Sequence, residues 1–196
     1  MKTKIKICGI KTLEEALFCG QAAADYLGFN FVPASSRHID MDTAKSIIAG
    51  LPSGRLETVG VFRDERPEKV LQIAEVLHLD FVQLHGNENE DYVRLLPNLR
   101  IIKVINGDSL PEKFPAEFVM IDREIQGQGM TVDFQKLSSR QIGKPLFLAG
   151  GLKPENVRQA VSIVRPYAVD VASGVETNGK KDPQKIRKFI TQVNSL

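Results

Sequence analysis

The chain has no tryptophan, three histidines and two cysteines, and these shortages bear on the kinds of site it can build. Cys8 and Cys19 lie eleven residues apart, a spacing unlike a disulfide framework or a zinc site. No cluster of residues has the spacing of metal ligands, so we expect no metal. Unpaired thiols fit a reducing cytoplasm, which is the expected location.

The chain also has neither a large excess of one charge nor long hydrophobic runs. Lysine and arginine number 26 against 24 acidic residues, and no basic stripe carries interleaved aromatics, so nucleic acid is not an expected partner. The apolar patch between Lys4 and Lys11 is too short for a signal peptide, and no run is long enough to enter a membrane. With 42% hydrophobic residues and no low-complexity linker, we expect one globular domain over residues 1–196.

Eight short runs rich in β-forming residues recur along the chain, and their starts are 17 to 31 residues apart. Each interval is close to the length of one strand–helix unit. Strands that alternate with helices predict a parallel sheet. The predicted strands are Ile5–Cys8, Leu27–Val32, Thr58–Phe62, Phe81–His85, Ile101–Ile105, Phe118–Asp122, Leu146–Ala149 and Ala168–Val171.

Most segments between these runs have the helical period. One example is the apolar stripe formed by Val70, Ile73, Ala74 and Leu77. Predicted helix starts are a capping box at Thr12 and Glu15, and a proline in the first helical position at Pro67, Pro154 and Pro183. The gap 106–117 holds two prolines and is too short for a crossover helix, so a loop is expected to replace the fifth helix.

A parallel sheet of this kind is either closed as a (β/α)8 TIM barrel or open and doubly wound. An open dinucleotide-binding sheet should show G-x-G-x-x-G after its first strand, where this chain has Cys8-Gly9-Ile10-Lys11-Thr12. Eight units favour closure. The fold class expected is therefore α/β, a (β/α)8 barrel.

Small residues follow the last two predicted strands. Gly150 and Gly151 come after the seventh run, and Ser173 and Gly174 after the eighth. Backbone N–H groups in such turns can converge on an anion, and in barrels of this class these two loops commonly bind phosphate. The pattern predicts a phosphate site there.

Closure of the barrel would place the first strand beside the eighth, so that Cys8 and Asp122 flank the predicted phosphate site. A thiol and a carboxyl group on either side of a phosphosugar suit a proton-transfer isomerase. Each also has a simpler explanation, because a strand cysteine is usually a small buried hydrophobe and an aspartate after a strand often caps a turn. Glu124 competes with Asp122 as the acid.

Two further strand-end residues are candidate substrate contacts. Arg37 carries a planar fork that suits a carboxylate, although an arginine in such a loop is more often only a solvated charge. His85 ends the fourth predicted strand, where a substrate contact and an internally hydrogen-bonded barrel residue are equally compatible with the pattern.

Together these residues resemble the phosphoribosylanthranilate isomerase family of tryptophan biosynthesis. The resemblance runs from end to end, and the order of the pieces makes it specific. The matching pieces are Lys6–Ile10, Leu27–Phe31 with Ser36 and Arg37, Val59–Phe62, Val82–Gly86, Ile121 with Asp122, Leu148–Leu152, Pro154–Val157, Asp170–Glu176 and Gly179–Asp182.

The resemblance implies a (β/α)8 barrel without a regular fifth helix, and an Amadori rearrangement of N-(5-phosphoribosyl)anthranilate to 1-(2-carboxyphenylamino)-1-deoxyribulose 5-phosphate. It implies that Cys8 is the general base and Asp122 the general acid, and that no cofactor is needed. It assigns Arg37 to the anthranilate carboxylate. The phosphate would lie on Gly150, Gly151, Ser173 and Gly174.

One region departs from the family, since the loop 127–133 is shorter than usual and has Met130 where the family has lysine. Alternatives to this isomerase are another phosphosugar isomerase or lyase on the same barrel, or a non-catalytic protein that binds a phosphometabolite. The expected partner is one small phosphosugar–anthranilate molecule. Nothing in the sequence separates a monomer from a homodimer.

Overall fold

Eight parallel strands close into a barrel in chain order, as the strand count predicted. The computed structural model describes residues 2–52, 54, 56–105, 114–122, 134–139 and 142–195. The strands are β1 (Lys4–Cys8), β2 (Tyr26–Asn30), β3 (Glu57–Phe62), β4 (Phe81–Leu84), β5 (Ile101–Ile105), β6 (Phe118–Ile121), β7 (Leu146–Leu148) and β8 (Ala168–Val171). The barrel closes where β1 pairs with β8 and Lys6 lies opposite Asp170.

Helices lie between the strands and cover the barrel. They are α1 (Leu13–Gln21), α2 (Met41–Ala49), α3 (Pro67–Leu77), α4 (Glu90–Arg94), α5 (Phe134–Ser138), α6 (Val157–Val164) and α7 (Pro183–Asn194). A 3-10 turn (Ser173–Val175) and a short hairpin of β9 (Glu176–Thr177) and β10 (Lys180–Lys181) follow β8. The predicted stripe of α3 is buried over its full length, and α1 packs on both α2 and α7.

Three of the four predicted helix starts are confirmed and one is wrong. Thr12 Oγ1 accepts the N–H of Glu15, and Pro67 and Pro183 begin their helices. Pro154 does not, because α6 begins three residues later, at Val157. The side chain of Asn156 accepts the N–H of Lys153 and donates to the Gly151 carbonyl, which makes the segment a turn tied to the glycine pair.

Two predicted features fall mainly outside the described residues. The loop expected in place of the fifth helix spans 106–117, of which only 114–117 are described, and these four residues are not helical. The altered loop with Met130, and Glu124, also lie outside the described residues.

The barrel interior changes character along its length. Five rings, from Tyr26, Phe81, Phe118, Phe147 and Tyr167, pack in its amino-terminal half, with neighbouring centroids 5.0–5.7 Å apart. Because side chains two residues apart face the same side of a strand, the next inward positions are Gln83 after Phe81 and Asp170 after Ala168. The carboxyl-terminal half is therefore polar, and it leads to the site.

Candidate active site

A cavity of about 210 Å³ opens at the carboxyl-terminal ends of β6, β7 and β8. It brings together five of the eight predicted site residues, which are Arg37, Asp122, Gly150, Gly151 and Ser173. Asp170 also lines it. A larger groove of about 1110 Å³ lies at the opposite end of the barrel, with Lys4, Leu146 and Tyr167 in its wall. That groove holds none of the eight residues, so the smaller cavity is the candidate active site.

The two turns predicted to hold phosphate form one side of this cavity. Gly150 and Gly151 have φ of 85° and 72°, the left-handed region in which glycine alone is unstrained. Gly174 does not line this cavity but a neighbouring cleft of about 460 Å³, which it shares with Ser173, and a side chain at Gly174 would collide with the carbonyl oxygen of Leu152. Its lack of a side chain thus lets the turn after β8 pack against the turn after β7.

Cys8 ends β1 and is buried, with 7% of its surface exposed. A methyl group on Gly28 of the neighbouring strand would lie 2.8 Å from the sulfur, so the absence of a side chain on β2 makes room for the thiol. Burial raises the pKa of Cys8, and the nearby ammonium of Lys6 opposes that rise without cancelling it. The resting group is therefore a thiol that needs positive charge to ionise.

Asp122 and His85 face each other across the mouth, from the ends of β6 and β4. His85 Nε2 lies 3.4 Å from Asp122 Oδ2, and its Nδ1 lies 3.3 Å from the side-chain nitrogen of Gln83. Burial lowers the pKa of His85, and the charge of Asp122 only partly offsets this, so the ring is neutral near pH 7. His85 therefore contacts Asp122, but it does not line the cavity itself.

Arg37 lies over Gly9, with its fork turned toward Glu176. Its Nε and Nη2 donate to the two carboxylate oxygens of Glu176, both at 2.7 Å. The Lys181 ammonium donates to the same carboxylate at 2.7 Å. Burial alone would raise the pKa of Glu176, but these donors outweigh it and lower the pKa to about 2. Arg37 lines the cavity, and its bonds to Glu176 use Nε and Nη2 rather than Nη1.

Sequence reasoning found the strand-tip groups and missed the charges that hold them. Lys6 lies inside the barrel with no exposed side-chain surface, and its Nζ lies 2.8 Å from Asp170 Oδ1. The signal available was weak: Lys6 stands two residues before Cys8 and so shares its inward side of β1. Glu176 stood in a recognised motif, but its partner Arg37 is 139 residues away.

Neither a metal site nor a membrane span is found in the described residues. Over those parts of the chain, no three His, Cys, Asp or Glu side chains gather as metal ligands would. Of the helices described, none combines the length and hydropathy of a membrane span.

Comparison with known proteins identifies similar chains. Residues 5–192 match the family model described as N-(5'-phosphoribosyl)anthranilate (PRA) isomerase. The N-(5'-phosphoribosyl)anthranilate isomerase of Oceanobacillus iheyensis is 42% identical over 198 residues, a match that covers 96% of each chain.

Two solved structures are similar over nearly the whole chain. Phosphoribosyl anthranilate isomerase from Thermotoga maritima superimposes with a TM-score of 0.89 at 39% identity, covering 99% of this chain and 100% of that one. A phosphoribosyl anthranilate isomerase in complex with reduced 1-(o-carboxyphenylamino)-1-deoxyribulose 5-phosphate gives a TM-score of 0.85 at 38% identity, covering 99% and 100%.

Proposed function

The chain belongs to the N-(5'-phosphoribosyl)anthranilate isomerase family, and we propose that its acid–base chemistry is carried out by Cys8 and Asp122. The reaction is the Amadori rearrangement of N-(5-phosphoribosyl)anthranilate to 1-(2-carboxyphenylamino)-1-deoxyribulose 5-phosphate, in tryptophan biosynthesis. The observation that carries the assignment is the order of the strands. Since β6, β7, β8 and β1 are consecutive, the two glycine-rich turns lie between the carboxyl group and the thiol.

Each group has one proton to move. Asp122 acts in its protonated form: it gives its proton to the furanose ring oxygen, the C1′–O bond breaks, and the nitrogen lone pair forms a C=N bond. The Cys8 thiolate then takes the C2′ proton, and the C–H electrons form the C1′=C2′ bond of an enolamine while the C=N electrons return to nitrogen. The enolamine tautomerises to the ketone, so the iminium serves as the electron sink.

The remaining groups bind. The N–H groups of the Gly150–Gly151 turn and of the turn at Ser173 suit the phosphate, because main-chain donors without side chains can approach an anion closely. Gly174 belongs to the second turn and lets it approach the backbone of Leu152 closely. The Nη1 side of the Arg37 guanidinium suits the anthranilate carboxylate. His85 orients Asp122 and lies beside the sugar.

The test compares single variants with the fluorescent anthranilate substrate. One general acid or base contributes about 10²–10⁴ in rate, so Cys8→Ala and Asp122→Asn should each lower kcat by that factor. The matched control is Cys19→Ala, which removes the other buried thiol, in α1, and should leave kcat unchanged. Near-normal turnover in Cys8→Ala and Asp122→Asn would disprove the assignment.

A further inference from the structure

Burial of the Lys6 ammonium inside the barrel is unfavourable in free energy. Its side chain has no exposed surface, and its ammonium is held by one carboxylate, Asp170, at 2.8 Å. Transferring an ammonium from water to a protein interior costs several kcal/mol, and buried ion pairs can often be replaced by apolar residues with no loss of stability. Packing alone therefore gives no reason for a charge at this position.

The second neighbour of this ammonium is the thiol of Cys8. The two residues are two positions apart on β1 and face the same side of the strand. The thiol and the ammonium both lie beside Gly28 of β2. A methyl group on Gly28 would lie 2.8 Å from the sulfur and 3.1 Å from Lys6 Nζ. The charge of the ammonium favours the thiolate form of Cys8 and so opposes the rise of its pKa.

The other charges that face Cys8 come from three further elements. Lys181 of β10 and Arg37 of the loop after β2 favour the thiolate, and Asp170 of β8 disfavours it. Lys181 and Arg37 are both bound to Glu176, which offsets their charge. Burial has the largest effect on the pKa of Cys8 and raises it, and Lys6 has the next largest effect and lowers it. Asp170 keeps the pKa of Lys6 above its usual value despite burial.

We propose that Lys6 is a positioning residue for the isomerisation, and that its ammonium, anchored by Asp170, is the counter-charge against which the Cys8 thiolate forms. The inference rests on the proposed role of Cys8 as base. Lys6 keeps its own proton throughout: the thiol first loses its proton to solvent, the thiolate takes the C2′ proton, and the resulting thiol is stabilised less by Lys6 than the thiolate was.

The pH dependence of alkylation tests this without relying on turnover. In a Cys19→Ala background, iodoacetamide reports only Cys8, because the chain has two cysteines. An opposite charge nearby shifts a pKa by about 1–3 units, so Lys6→Met should raise the pH of half-maximal alkylation by that amount and slow alkylation at pH ~7.5 by roughly tenfold or more. The increase of kcat/KM with pH, which follows ionisation of the base, should also shift to higher pH.

Lys4→Met is the matched control. It makes the same substitution two residues earlier on β1, where the ammonium pairs with Asp25 near the surface, and it should leave both profiles unchanged. Far-UV circular dichroism verifies folding. If Lys6→Met does not fold, Lys6→Gln replaces it, because the amide keeps a donor for Asp170 while removing the charge.

The outcomes separate the two proposals. Unshifted alkylation and rate profiles in a folded Lys6 variant, or lower turnover with no shift in pH, would make Lys6 a structural link between β1 and β8 and overturn this inference. Cys8→Ala with near-normal turnover would instead overturn the role of Cys8. A shift seen only at Lys6, with Lys4→Met unchanged, supports the proposal.

Discussion

Glu176 has the densest set of contacts with cations at the site. Arg37 binds both of its oxygens and Lys181 binds one, and the Lys185 ammonium donates to its backbone carbonyl. This side chain fixes the direction of the Arg37 fork. If Arg37 binds the substrate carboxylate as proposed, it is thereby held in place before substrate arrives.

Acid denaturation should reveal this carboxylate. The fold stabilises its charged form, because its pKa falls from 4.5 to about 2. It therefore contributes to the free energy of unfolding above pH 4.5, and this contribution is lost as the pH falls toward 2. Glu176→Gln should lower the free energy of unfolding near neutral pH by about 1–3 kcal/mol, the worth of hydrogen bonds to a charged group.

Urea titrations at a series of pH values measure that difference, which should shrink below pH 4.5. Glu155→Gln is the control, because its ion pair with Lys188 is more than half exposed and should contribute little at any pH. An equal loss in Glu176→Gln at every pH would contradict the assignment.

At the level of single residues, the sequence could predict residues whose place follows from a nearby strand end. It could not predict those whose role depends on a partner far away along the chain. The strand-tip rule identified Cys8, Asp122 and Arg37 because it needs only the end of each predicted strand. It could not identify Lys6, whose partner is 164 residues away, since register between the first and last strands is not encoded locally. The role of a charge in a barrel depends on that register.

Among the elements, β2 limits the position of the Cys8 thiol directly, through the backbone of Gly28. Gly28 faces β1, and a Cβ there would lie 3.0 Å from Cys8 Cα and 2.8 Å from its sulfur, so Gly28→Ala must displace β1 or the thiol. Displacing a reacting group by a fraction of an ångström to one ångström costs about 10- to 100-fold in rate. We expect kcat to fall by that factor.

Gly143→Ala provides the comparison, since a Cβ at that position would meet nothing within 4 Å. Steady-state kinetics and thermal melts of both variants measure the effect. Full turnover in Gly28→Ala would mean that Cys8 does not need its present position.

Element boundaries followed from local signals wherever those signals agreed. Pro67 and Pro183 began helices as predicted, and at Pro183 the side chain of Asp182 reinforces the start by accepting the N–H groups of Gln184 and Lys185. At Pro154 the prediction was wrong, because the amide of Asn156 binds both Lys153 and Gly151 and so forms a turn before the helix starts.

On the scale of the whole molecule, the number of repeated units was enough to predict closure. Eight parallel strands that pair in chain order have a closed barrel as their natural arrangement. The division of the interior into an aromatic half and a charged half could not be predicted, because it depends on how far neighbouring strands are staggered.

That division has a measurable consequence. Phe147 is fully buried among Tyr26, Phe118 and Tyr167 in the aromatic half. Phe147→Leu should lower the free energy of unfolding by about 1–3 kcal/mol, and the melting temperature by about 2–4 °C for each kcal/mol. The pH–rate profile should stay unchanged, because the ring does not line the site cavity.

Thermal melts and pH–rate profiles of Phe147→Leu beside Leu95→Ala give the comparison, since Leu95 is 58% exposed and its truncation should change neither. A shifted pH profile in Phe147→Leu would show that the two halves of the interior are coupled.

The pairing of β1 with β8 also fixes the order in which a nascent chain can complete its barrel. A ribosome makes Lys6 early and must add a further 164 residues before Asp170 exists. At about 5–20 residues per second, this takes roughly 8–33 s. During that interval the lysine has no carboxylate from β8 to neutralise it, so the ion pair that closes the barrel can form only after synthesis has passed Asp170.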